Sequence, residues 1–220
     1  MNQVSHSNEN NNLADEGVNR DSKTPKTARG AKTKSKILSA AAIEFGARGY
    51  HDCQIGDITR RASVGMGTFY IYFTTKEAIF RELVSYMGHL TRQHIAQNIN
   101  GAKSRLDAEK RGLRAFIEFA REHKDLYRIV MESQFVAPDA YTQYYSVFQK
   151  AYANQLTAAQ IKGEISEGDN QIRAWSLIGL SVFLGMRFGI WDDAEDIDSI
   201  TEAGFDLIEN GLSPRANTKK

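Results

Sequence analysis

Two short apolar segments, residues 55–62 and 66–73, are separated by only three residues, Ser63-Val64-Gly65. A link that short permits only a tight turn, so helices joined by it must cross closely and pack at small or branched positions. Ala62, Val64 and Phe69 are the natural buried set at the crossing, while Gly65, Met66, Gly67 and Thr68 are left at the exposed start of the second segment. An upstream helix supplies the third wall. Ile37, Leu38, Ala41 and Phe45 fall at helical spacing, and Gly46 and Gly49 end that helix near Arg48. Three helices with this turn have helix-turn-helix geometry, in which the last helix buries one side and keeps another free for a DNA major groove. Glycines at its start allow close approach, with backbone N–H groups facing phosphate.

Helical signals run almost without break from Thr33, and no strand-like alternation of useful length occurs, so the predicted fold class is all-α. Thr74-Thr75-Lys76-Glu77 reads as a capping box, the Thr74 hydroxyl accepting from the Glu77 N–H, and opens a helix through Phe80, Leu83 and Met87 to about Asn98. Five more helices are expected at 105–123, 124–135, 138–161, 170–191 and 197–210, giving about nine helices. Pro138 suits a first helical turn, and Asp196 or Asp198 can cap the last helix. Residues 1–30 have almost no large apolar side chains and are expected to be a disordered arm. The basic end of this arm is either a solvated tail or a segment lying along a DNA backbone or minor groove. The predicted layout is then a helix-turn-helix domain over 31–80, a second domain over 81–212 and a flexible tail over 213–220.

Charge is distributed to match. Residues 31–80 carry seven Lys/Arg against four Asp/Glu, whereas residues 81–220 carry 17 against 19. A basic module joined to a mildly acidic one fits a protein that touches phosphate at one end. The single cysteine, Cys53, excludes an internal disulfide, and His51 beside it has no further metal ligands at usable spacing. No cofactor or metal is expected. The N-terminus has no secretory apolar region, and the most apolar stretch, 174–191, is interrupted by Arg187 and contains glycines and serines. It reads as a buried helix and not a membrane span, so a cytoplasmic location is expected.

The run ILSAAAIEFGARGYHDCQIGDITRRASVGMGTFYIYFTTKEAIF resembles the N-terminal domain of the tetracycline-repressor (TetR) family over about residues 33–83. The likeness rests on IL-x-AA, the F-x-x-x-GY ending, I-x-DI, the A-x-V turn, G-T-F-Y-x-YF and the following K-E. Carried over by position, it implies that Gly65, Met66 and Thr68 face base edges or nearby sugar, with Gly67 among them in the DNA-binding set. It also implies that Tyr70, Tyr72 and Lys76 hold phosphates, with Gln54 and Ile55 near the backbone. Tyr72 is equally read as partly packed, and Phe73 as core. The family often has Ser and Lys where Gly65 and Met66 stand, and Thr at Cys53. Loss of that lysine removes a donor to guanine and leaves Met66 suited to thymine methyls.

In the second domain the resemblance implies a pocket for a small-molecule effector. Candidate lining residues are Phe116, Tyr127, Met131, Phe135, Tyr145, Phe148, Trp175 and Phe183. So many tyrosine hydroxyls, each needing a partner, suit a ligand with an apolar body and a polar tip, such as an aromatic acid, fatty acid or acyl-CoA. Ser181, Gly185 and Gly189 recur along one helix, and Ile200, Gly204, Leu207 and Ile208 along the next. Such stripes serve either intramolecular packing or a four-helix homodimer interface, and the resemblance implies the dimer. The reading is therefore a repressor released from an inverted-repeat operator in double-stranded DNA. An enzyme is disfavoured, since the chain offers no phosphate-binding glycine loop and no two-His pair at helical spacing. A ligand-free DNA-bending protein is the other rival.

Overall fold

The computed structural model describes residues 22–212, and among these the chain forms nine α-helices with one isolated antiparallel bridge, Ser22 to Phe73. The first unit is α1 (Ala28–Asp52), α2 (Ile55–Arg61) and α3 (Met66–Tyr72). The second is α4 (Lys76–Ile99), α5 (Arg105–Glu122), α6 (Lys124–Val136), α7 (Pro138–Ile161), α8 (Asn170–Gly185) and α9 (Ile197–Asn210).

Residues 22–30, expected to belong to a disordered arm, are built into the fold; the rest of that arm and the tail over 213–220 lie outside the described residues. Thr27 caps α1 by accepting from the Gly30 N–H at 3.1 Å, and the Lys23 N–H donates to the Tyr72 carbonyl at 3.0 Å. The local cap and the long-range Lys23–Tyr72 bond together offset an ordering cost that composition alone cannot repay. The regular part of α1 ends at Gly49, whose φ of 79° suits glycine and sits close to the predicted end near Arg48.

At α4 the expected box is not formed. Thr75, not Thr74, is the cap, accepting from the Ala78 N–H at 3.0 Å, and the Glu77 carboxylate pairs with Arg81 instead of turning back. The helix predicted over 170–191 changes character at its end. Met186–Trp191 is a π-helical turn, with the Asp192 N–H reaching the Arg187 carbonyl at 3.3 Å.

The largest core runs through both units. Ile37 and Phe45 of α1, Ile58 of α2, Phe69 of α3, Phe73, and Phe80 of α4 are fully buried together, and Phe45 meets Phe80 edge to face at 5.2 Å. Ile129 of α6 enters the same cluster, so the first unit is seated on the second by a shared core. A polar seam reinforces the seat. Arg128 donates to the Gly46 and Ala47 carbonyls, and Glu132 accepts from the Tyr50 N–H at 2.9 Å.

The small-residue stripes point inward. Gly185 faces the Phe116 ring, Gly189 faces Ala120 and the α5 backbone, and Gly204 lies against Leu113 and Leu184. Ile200 is buried with Leu113 and Ile117, Ile208 packs beside them, and Ser181 donates to the Leu177 carbonyl. Of the predicted interface residues only Leu207 remains exposed. The correction has a simple cause: α8, its π-turn and α9 need close approach to α5, and glycines allow it. The stretch 170–191 is long and apolar enough to cross a membrane by composition, yet it is wholly buried only at Ala174, Ile178, Gly185 and Gly189. Its outer side leaves Ile172, Trp175 and Phe183 exposed.

Candidate nucleic-acid interface and effector cavity

The turn between α2 and α3 is closed by backbone bonds: the Val64 N–H donates to the Thr59 carbonyl at 3.0 Å and the Ser63 N–H to that of Arg60 at 3.1 Å. Ser63 takes a φ of 49°, the left-handed value the tight turn demands. α2 is fixed from its other side. Asp57 accepts from the Gln54 N–H at 3.0 Å and pairs with Arg60 and Arg48, and this backbone bond, helped by the arginines, lowers its pKa. The buried carboxylate of Glu44 takes Arg61 and Arg48. Of the two arginines that are plausible phosphate ligands by type, Arg61 is engaged with Glu44 in holding α2 on α1, whereas Arg60 pairs with Asp57 within α2 and stays exposed.

What α3 presents is then clear. Phe69 is fully buried, Gly65, Met66 and Gly67 are exposed, and Thr68 is half-buried. The Thr59 hydroxyl donates to the Met66 sulfur at 3.6 Å, which holds that side chain at the head of the helix. A Cβ placed on Gly65 or Gly67 would meet nothing within 4 Å, and neither residue has a positive φ. The protein's own packing therefore does not require glycine at either position. Tyr70 and Gln54 are exposed, Ile55 leans on the core, and Tyr72 is half-buried with its carbonyl bound by Lys23.

Lys76 departs from expectation. Its ammonium donates to the carbonyls of Tyr50 at 2.8 Å and Cys53 at 2.9 Å, with that of His51 at 3.5 Å, and sits 4.3 Å from the Tyr50 ring centre. Its donors cap the end of α1, so it positions the unit instead of facing a phosphate. Cys53 below it is core; burial, with Glu44 and Asp57 nearby, pushes its thiol pKa up to about 11.

In the second unit α4, α5, α7 and α8 enclose a cavity of about 270 Å³. Phe116, Tyr145 and Phe148, three of the eight candidate lining residues, are in its wall. Tyr127 stands behind the wall, its hydroxyl donating to the carbonyl of Val182 at 2.9 Å. With Tyr127, five predicted residues do not line the cavity: Phe135, Trp175 and Phe183 point to solvent, and Met131 lies elsewhere on α6. They sit on helical faces that periodicity alone cannot assign to one side of a bundle or the other.

One polar end of the cavity was not legible in the sequence. Glu109, 4% exposed, accepts from Arg105 Nε at 2.7 Å and from the Tyr152 hydroxyl, while Arg105 Nη1 donates to Gln155 at 2.9 Å. Burial, reinforced by the Glu109 charge, raises the Tyr152 pKa well above the usual phenol value, so it stays a donor. Arg105 and Glu109 are four apart, a spacing indistinguishable in sequence from a solvated surface pair. Arg92 also lines the cavity, giving its wall two arginines against one carboxylate.

Comparison with known proteins gives the family and the fold. Residues 37–83 match the family described as bacterial regulatory proteins, tetR family. The chain is 32% identical over 201 residues to the HTH-type transcriptional regulator YdgC of Bacillus subtilis, covering 86% of this chain and 97% of that protein. Among solved structures, GusR of Salmonella enterica superimposes with a TM-score of 0.73 at 20% identity, covering 86% of this chain and 99% of that one. FadR of Bacillus subtilis, determined in complex with stearoyl-CoA, gives 0.71 at 19% identity, covering 81% and 99%.

Proposed function

The chain belongs to the TetR family of bacterial transcriptional regulators, and from that premise we propose that it is a homodimeric repressor released from an inverted-repeat operator by a small amphipathic ligand. Two copies present two α3 helices to successive major grooves, with Gly65 and Gly67 letting each helix approach the bases. The observation that carries the reading is the reach of α4. One helix supplies Phe80 and Leu83 to the core of the DNA unit, and Arg92, Ile95 and Ile99 to the cavity wall. A ligand that displaces the cavity end of α4 therefore moves the seat of α3. The shift in DNA affinity can be no larger than the ligand's preference between the two arrangements.

The effector class follows from the lining. An aromatic and aliphatic wall with a buried hydroxyl-and-guanidinium end suits an apolar body with an acidic or polar head. The volume lies just below the usual ~300–1,000 Å³ range for ligand sites, which favours a compact aromatic or fatty acid. That a structural neighbour carries stearoyl-CoA supports an acyl compound as the starting screen. For the dimer, the exposed apolar side of α8, with Ile172, Trp175 and Phe183, and Leu207 of α9 are the surfaces to pair.

The test is fluorescence anisotropy of the purified protein on DNA flanking its own gene, with random DNA as competitor. Preference for an inverted repeat by about a thousandfold or more supports the repressor reading. Equal, steeply salt-dependent binding to both DNAs supports a DNA-bending protein or an operator located elsewhere. A folded dimer that binds neither at low salt refutes the reading of α3.

A further inference from the structure

Residues 22–43 contain six Lys/Arg and no Asp or Glu. Five of the cations, Lys23, Lys26, Arg29, Lys32 and Lys36, are exposed, and among the described residues none of them has a carboxylate partner. Lys34 is the exception. Its ammonium bonds the Glu82 carboxylate of α4 at 2.6 Å and the Ser22 hydroxyl at 2.8 Å, and that hydroxyl donates to Glu82 in turn. The segment ahead of α1 is thereby pinned at a defined place. It runs antiparallel to the end of α3, with the Lys23 N–H on the Tyr72 carbonyl and Ser22 bridged to Phe73. At its other end, Gly30 stands close to the Tyr72 hydroxyl.

From this juxtaposition we propose that residues 22–29 form a basic strap that extends each subunit's DNA footprint beyond α3, with Lys23, Lys26 and Arg29 paired to backbone phosphates. The inference rests on α3 entering a major groove. A strap hydrogen-bonded to the last turn of that helix then lies beside the sugar-phosphate rail that flanks the groove. Three exposed cations held by backbone bonds and a cap lose little further backbone freedom when phosphate arrives. The Glu82–Ser22–Lys34 cluster sets where they stand. Contacts of this kind position the protein and add affinity without reading sequence.

The experiment is a salt titration of anisotropy on a random-sequence duplex, comparing wild type with Lys23→Gln/Lys26→Gln/Arg29→Gln. A second triple, Lys103→Gln/Lys150→Gln/Lys162→Gln, removes the same charge from exposed positions on the second unit. Six phosphates lost per dimer make the slope of log K against log salt shallower by about five, and binding at low salt weaker by at least about tenfold. The second triple is expected to change the slope by less than about one. Thermal midpoints should match in all three proteins, because among the described residues the strap side chains make no ion pair. Equal slopes for wild type and the strap triple overturn the proposal, as do equal changes in both triples, which would mean that only net charge matters. Wild type that binds no duplex at low salt overturns the strap together with the reading of α3.

Discussion

Replacing Gly67 by alanine adds one methyl group at a place where the subunit has nothing to contact it. The residue lies in the first turn of α3, so alanine removes backbone freedom from the unfolded chain and fits the helix. The gain is about 0.5 kcal/mol, less than mid-helix because the first turn is partly frayed, or roughly 1–2 °C in Tm. DNA binding is expected to move the other way. If the glycine exists to let the helix approach base edges, the methyl costs about as much as one mismatched base pair, about 1–3 kcal/mol per half-site. Over two half-sites that is a loss of at least about thirtyfold in operator affinity. Thermal unfolding and operator anisotropy on the same preparation read both signs. A stability gain with unchanged or tighter operator binding would refute the argument that Gly67 is kept open for DNA.

Gly46→Ala tests the seam between the units: its Cβ would stand 2.3 Å from that of Asp125, so α1 and α6 must part, at about 1–3 kcal/mol in urea unfolding. Combining it with Asp125→Gly should cost at least about 1 kcal/mol less than the sum of the single changes, and full additivity would contradict the geometry. Glu109→Leu strands the largely buried Arg105 charge without its carboxylate and should cost about 3–5 kcal/mol, most of it recovered in Arg105→Met/Glu109→Leu. An equal loss in the double variant would argue against a buried pair. For Cys53 the folded pKa is raised from 9.0 to about 11, so between those values the unfolded chain releases a proton that the folded chain keeps. Its contribution is therefore full below pH 9 and declines as pH rises to about 11. Urea midpoints across that window should fall more steeply for wild type than for Cys53→Ala, and parallel curves would count against burial as the cause.

The sequence alone determined the all-α architecture, the tight turn at Ser63-Val64-Gly65, the burial of Phe69 and Phe73, and the bounds of α7 and α9. These depend on periodicity, turn length and capping residues, all properties of neighbours along the chain. What only the tertiary structure decided involves partners far apart in sequence. Lys76 reads as a free cation until the α1 carbonyls are brought to it. Arg105 and Glu109 read as a surface pair until Tyr152 and Gln155 close over them. The glycines of α8 and α9 show that a close approach is made but not to what, and the answer is α5 of the same subunit. Residues 22–30 read as unstructured because the groups that order them, Tyr72 and Glu82, lie on other elements. Local patterning fixes where helices begin and which side is apolar. Which apolar side meets which, and which charge finds a partner, is settled only by the long-range packing that those patterns leave open.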